Sequence, residues 1–307
     1  MGFIPAATIF PIFPVNGLDR SLHAPVMIGL LAITFFTEVF GWTYAGLVVP
    51  GYLATVMVAA PITGALIVLE ALLTYLFAAL IGRWLPRTGA WSTTFGRERF
   101  FLFIVGAVLV RLGVEGNLLP RLTATFGLHH SRELYSLGLV LVPLLANMFW
   151  NTGAKVAVPR VAVVTAITWL IVDYVLLRHT NFTISRFEVA NESVSLTFLE
   201  SPHAHIILLL GALLGARNNV KYGWDYNGIL VPALLAVAWY SPSKLLTTVV
   251  EALLVYAGAK LLTSVPPMSR WLIVGPRRMV MTFLIGFFVK FVVGFLIQWF
   301  DWQVQLV

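Results

Sequence analysis

Apolar residues fall along this chain in long blocks separated by short polar breaks. The blocks lie near 24–40, 44–60, 62–82, 100–115, 133–150, 156–177, 203–217, 226–241, 245–263 and 279–299. A helix needs about 20 apolar residues to cross the hydrocarbon core of a bilayer, so the pattern predicts an all-α, polytopic integral membrane protein of about 8–10 helices. The blocks at 44–60 and 226–241 are interrupted by Gly and Pro, which predicts broken or re-entrant segments. A bilayer tolerates these only where protein covers the freed backbone groups. The long polar stretch is 178–202, "RHTNFTISRFEVANESVSLTFLESP", whose alternation in "VSLTFLE" predicts a surface loop or short strand. As a linker it divides a first membrane unit, 24–177, from a second, 203–300.

Composition agrees with this reading. Hydrophobic residues make up 59% of the 307 and charged residues 11%, against about a quarter charged in soluble domains. Cysteine is absent, which removes disulfides and thiolate metal sites. The six histidines form no HExxH pattern, and no metal or cofactor is expected. The N-terminus carries no basic region ahead of its first apolar stretch, and "MGFIPA" puts Ala6 where myristoylation requires Ser or Thr, so internal spans should direct insertion.

Cations gather in three places: Arg83, Arg87, Arg97 and Arg99; Lys155 and Arg160; and Lys260, Arg270, Arg277 and Arg278. The positive-inside rule makes these loops cytoplasmic and the 178–202 linker external. The net charge of +7 is then accounted for by loops facing anionic lipid, and no basic stripe interleaved with aromatics suggests nucleic acid.

A phrase occurs twice. "FGWTYAGLVVPGYLA" at 40–54 and "YGWDYNGILVPALLA" at 222–236 agree at eight of fifteen positions. The match continues from "LEALLTY" at 69–75 to "VEALLVY" at 250–256, which pairs Glu70 with Glu251. It extends to "GRERFFLFIVGAVLVR" at 96–111 beside "GPRRMVMTFLIGFFVK" at 275–290, which pairs Arg111 with Lys290. Both copies run from a Gly-Trp turn to a basic loop on the same side, which predicts two parallel repeats. Within the phrase, Gly46 and Gly228 permit unusual backbone angles or close approach. Pro50 and Pro232 remove an amide donor and break a helix, and Trp and Tyr suit the headgroup level. Gly51 follows Pro50, and a looser copy at 138–147, "GLVLVPLLAN", adds Pro143 and Asn147. Together these predict broken helices around a lined cavity.

"AGLVVPGYLA" at 45–54, "GRERF" at 96–100 and "GLVLVPLLAN" at 138–147 stand in an order that resembles the PgsC/CapC family of membrane proteins of bacterial poly-γ-glutamate synthesis. The resemblance covers about residues 30–177, and the chain is longer than the usual member because of its second unit. The second half also looks like membrane domains that accompany transglutaminase-like and ATP-grasp proteins. The resemblance implies a noncatalytic, multi-pass subunit of the bacterial cytoplasmic membrane that either forms the export path of the polymer or anchors its ligase. Its partners would be a cytoplasmic ATP-dependent amide ligase, Mur-ligase-like or ATP-grasp, and an anionic polymer. The chain has neither a GxxxxGK[ST] loop nor a GxSxG elbow, so no catalytic residue is expected in it.

Charged residues inside apolar blocks are functional candidates, because a charge in hydrocarbon costs several kcal/mol and faces a bundle interior. They are Glu38, Glu70 and Glu251. Glu70 and Glu251 either bridge to Arg111 and Lys290, bond to Tyr75 and Tyr256, or carry protons. For an anionic polymer the candidate contacts are Arg97, Arg99, Arg277 and Arg278 at the cytoplasmic face, with Arg111 and Lys290 deeper. The functions left open are a polymer-synthase subunit, a secondary transporter for a small anion, and a membrane scaffold for a transglutaminase-like or ATP-grasp partner.

Overall fold

The computed structural model describes residues 10–14, 18–19, 21–44, 46–84, 96–118, 135–184, 202–223, 231–232, 235–236, 239, 242–266 and 276–299. In chain order α1 is His23–Phe40, α2 Val49–Ala59, α3 Pro61–Trp84, α4 Gly96–Gly113 and α5 Tyr135–Thr152. Then come α6 Ala154–Ile171, α7 Pro202–Tyr222, α8 Pro242–Ser264 and α9 Pro276–Trp299. α4 runs on into a π-helical turn, Val114–Leu118, and α6 into another, Val172–Leu176. The described residues hold no strand, only one isolated bridge between Phe10 and Thr180. By length and composition, α1, α3, α6 as far as His179, α8 from Leu245 and α9 between Arg277 and Leu296 can each cross a membrane. The chain is an all-α polytopic membrane protein. Most of the predicted block at 226–241, Gly228 included, lies outside the described residues, as does all of 185–201.

Antiparallel contacts fix the direction of each helix. Between α3 and α4, Glu70 meets Arg111 and Phe77 lies against Gly106. Between α4 and α5, Arg99 bonds Asn151 and Gly138 lies against Arg111. Glu38 on α1 grips Arg277 at the start of α9, and Gly258 on α8 faces Ile285 on α9. α5 turns into α6 at Gly153, and Arg160 of α6 covers the ring of Trp42, just beyond α1. The C-terminal ends of α1, α3, α5 and α8 therefore share one end of the bundle with the N-terminal ends of α4, α6 and α9. Arg83, Arg99, Lys155, Arg160, Lys260, Arg277 and Arg278 all belong to that end, the basic end. Single cysteines in this cysteine-free chain should accordingly be labelled from the cytoplasmic side in 84–96 and 264–276 and from outside in 182–200. Labelling of the two basic loops from opposite faces would overturn this architecture.

α2 is the centre of the packing, touching α1, α3, α5 and α6. Its Val49, Leu53 and Val56 join Ile67, Leu145 and Phe149 in one buried cluster. Lipid tails are as apolar as these side chains, so what holds such a helix is close contact and internal hydrogen bonding. The closest approach is made by two glycines: a Cβ on Gly51 would fall 2.5 Å from Val26 Cα of α1, and one on Gly29 2.6 Å from the Gly51 nitrogen. The chain reaches α2 by leaving α1 at Phe40 and folding back into the bundle, so that a Cβ on Gly46 would lie 3.8 Å from Leu144 Cβ, midway along α5. With only 11 residues, α2 covers about 16 Å, half of a bilayer core.

The repeated phrase has local counterparts in the backbone. Gly41 ends α1 with φ 64°, and Gly223 follows α7 with φ 66°, the left-handed conformation that closes a helix and that other residues adopt at a cost of about 1 kcal/mol or more. Among the described residues of the phrase, the left-handed positions are thus the glycines before Trp42 and Trp224, whereas Gly46 is held by a tight contact with Val49. Pro50 opens α2 instead of interrupting a helix, because an amide in the first turn needs no helical acceptor. Pro143 was expected at a third break, but α5 runs through it as one helix. The carbonyl it leaves without an amide is accommodated inside a well-packed bundle, where Pro143 is itself buried. Val231 and Pro232 are helical, and Pro232 is half-buried.

Candidate functional site

The basic end carries three side-chain clusters. Arg99, in the first turn of α4, donates from Nη2 to Asn151 Oδ1 at 2.8 Å. Asn151 Nδ2 donates in turn to Asn147 Oδ1 at 3.4 Å, one helical turn back along α5. The Arg99 guanidinium also lies 5.9 Å from the Trp150 ring centroid. Asn147 thus belongs to a polar ladder along the end of α5, with Asn151 and Trp150 as members that the repeat did not mark. The i, i+4 spacing of the two asparagines was the available signal.

A second cluster sits at the start of α6, where Arg160 caps Trp42 at 5.4 Å and Trp42 stacks on Phe36 at 4.7 Å. A third joins α1 to α9. Arg277 donates from Nε and Nη2 to the two oxygens of Glu38, each at 2.6 Å, in an exposed bidentate grip. Glu38 is therefore an interfacial clasp between helices far apart in sequence, and Arg278 beside it is exposed. The Arg97 side chain lies outside the described residues.

Deeper in the bundle the structure joins each intramembrane acid to the cation that the repeat aligns with it. Arg111 Nε lies 3.5 Å from Glu70 Oε2, with both side chains at most 3% exposed. Lys290 Nζ lies 3.3 Å from Glu251 Oε2, with 25% and 28% exposed. Each acid is nine residues into its helix, and each base is twelve residues past Arg99 or Arg278, which sets both pairs about 18 Å in from the basic end. Arg111 and Lys290 were expected as deep contacts for an anionic chain, but both are engaged by carboxylates. An unpaired charge at that depth would carry a desolvation penalty that pairing offsets. Room for the Arg111 guanidinium comes from Gly138, where a Cβ would stand 2.9 Å from Cζ. Sequence gave no sign of that partnership across 27 residues.

Among the described residues, no group of His, Asp and Glu is placed to hold a metal ion. The arrangement offers an array of guanidinium donors at one end and two neutralised pairs within.

A family model for capsule biosynthesis CapC matches residues 28–158 and 210–306. Those segments contain both acid–base pairs, the Arg99 ladder and the Glu38–Arg277 clasp. Searches of curated proteins and of solved structures gave no match. With most of its length matched, the chain belongs to the capsule biosynthesis CapC family.

Proposed function

We propose that this chain is the noncatalytic membrane subunit of a synthase for poly-γ-glutamate or a related peptide polymer in the bacterial cytoplasmic membrane. It holds a cytoplasmic ATP-dependent amide ligase and meets the anionic product at its basic end. The observation that carries this reading is the distribution of cations. Those within the bundle are paired with Glu70 and Glu251, while Arg99 and Arg278 lie at the end where a cytoplasmic chain would arrive. Such an array raises the local concentration of a polyanion. It also supports a receiving surface more strongly than a continuous cationic path through the membrane.

The test is the triple variant Arg97→Gln, Arg99→Gln, Arg278→Gln, which leaves the Glu38–Arg277 clasp and both deep pairs in place. Polymer made per unit of membrane-bound complex should fall about tenfold, the loss expected when a modest charge contact worth ~1.4 kcal/mol is removed. The corresponding Lys variant should fall less, because it keeps the charge but not the bidentate grip on carboxylates. Ligase recovery by co-purification separates the roles. Normal output with the ligase retained would exclude these residues as polymer contacts and leave the chain as an anchor. Movement of a small anion by the reconstituted chain alone, with no ligase found on it, would replace the whole reading with a transporter.

A further inference from the structure

The α8–α9 hairpin is seamed by Gly258 against Ile285 and Gly286 against Val255, and α9 leans on α1. The outer side of α8 is bare: none of the Leu245–Ser264 segment is buried, and Leu246 and Leu253 are 67% and 62% exposed. Apolar exposure alone calls only for lipid. The Glu251–Lys290 pair on the same hairpin calls for more, because about a quarter of each side chain is open about 20 Å along α9 from Arg277, a depth where hydrocarbon would surround it. The corresponding pair on α3 and α4 is closed over by α5 through Gly138. Among the described residues no helix does this for Glu251 and Lys290.

The charge arrangement of the open pair selects what covers it. The acid stands on α8 and the base beside it on α9. A second copy related by a two-fold axis along the membrane normal sets its α9 opposite the first α8, at the same depth. Each Glu251 then faces a Lys290 of the other copy, with no net charge added to the membrane interior. An isologous contact of this kind is complementary to itself by symmetry, whereas an unrelated helix would need a polar group of its own at that depth. We infer that the α8–α9 face is where two copies of this chain meet within the membrane, closed at its centre by a ring of two Glu251 and two Lys290 side chains.

Two measurements on the full chain in native membranes test this. A cysteine at Leu254, 48% exposed on α8, should cross-link to its copy with a short bifunctional maleimide, at least about tenfold more than a cysteine at Leu170, 45% exposed on α6. The second experiment co-expresses Glu251→Lys carrying one tag with Lys290→Glu carrying another. Each variant alone presents two like charges to its copy, while the mixture presents opposite ones. The mixed pair should co-purify at least about tenfold better than either variant with itself. Equal recovery of mixed and like pairs would overturn the inference. So would a Leu254→Cys chain that cross-links no better than Leu170→Cys, or that cross-links only to a different membrane protein. If a single charge variant does not accumulate, the Leu254 cross-link decides, since it leaves every charge in place.

Discussion

Arg111→Met is expected to remove about 3–5 kcal/mol of stability, the loss that follows when one member of a buried ion pair leaves the other uncompensated. Few marginally stable proteins survive that, so little folded protein should be recovered. The partner change Glu70→Leu, made together with it, should restore most of the loss, because two apolar residues of similar volume replace a fully desolvated pair and leave no orphan charge. Both side chains are at most 3% exposed, so solvent does not discount the figure. Lys290→Met should cost less, given the quarter of each partner that is open. Unfolding in mild detergent against added denaturing detergent measures all four. A single Arg111→Met chain as stable as the parent would show that the pair contributes nothing to the fold. Polymer output from the Glu70→Leu, Arg111→Met chain would also remove Glu70 as a proton carrier.

The second large effect is expected at the crossing of α1 and α2. Gly51→Ala places a methyl group 2.5 Å from Val26 Cα and 2.9 Å from the Pro25 carbonyl oxygen. Backbone atoms cannot turn aside as a side chain can, so the helices must separate. Overpacking of this kind costs about 1–3 kcal/mol, and Gly29→Ala should cost a similar amount. The two together should cost less than their sum, since one separation of the helices serves both. Pro50→Ala is the control: at the start of α2 its ring displaces no hydrogen bond, so the change should cost only the packing of a small buried ring, about 1 kcal/mol. Thermal unfolding of the four chains decides. A silent Gly51→Ala, or a Pro50→Ala as damaging as it, would mean that the break in the chain is held by the proline and not by the contact between glycines.

Those contrasts show what sequence carried and what it did not. The spans were legible because a bilayer demands a run of apolar residues long enough to cross it, and α1, α3, α8 and α9 begin and end within about three residues of their apolar blocks. The α2 stretch was legible as a broken segment, because Gly46, Pro50 and Gly51 interrupt its block. The Glu70–Arg111 and Glu251–Lys290 pairs were partly legible, since the repeat aligned acid with acid and base with base. Pro143 misled because the local rule for proline takes no account of helices packed around it, and those allow α5 to continue. Gly29 with Gly51 and Gly138 with Arg111 were out of reach. Each is a contact between distant segments, and a glycine records the need for space without recording what fills it.

The fold-back at Gly46 has a bearing on the order in which the bundle is made. α1 and α3 run in the same direction, so residues 41–60 must return across the membrane between them, and the cluster that receives α2 includes Phe149 and Val161, about a hundred residues later in the chain. At 5–20 residues per second, translation takes roughly 5–20 s to supply them. Until then the backbone donors and acceptors ahead of α2 lack the cover that α5 and α6 later give them. The return between α1 and α3 is therefore laid down early and enclosed late, by helices that did not exist when it emerged.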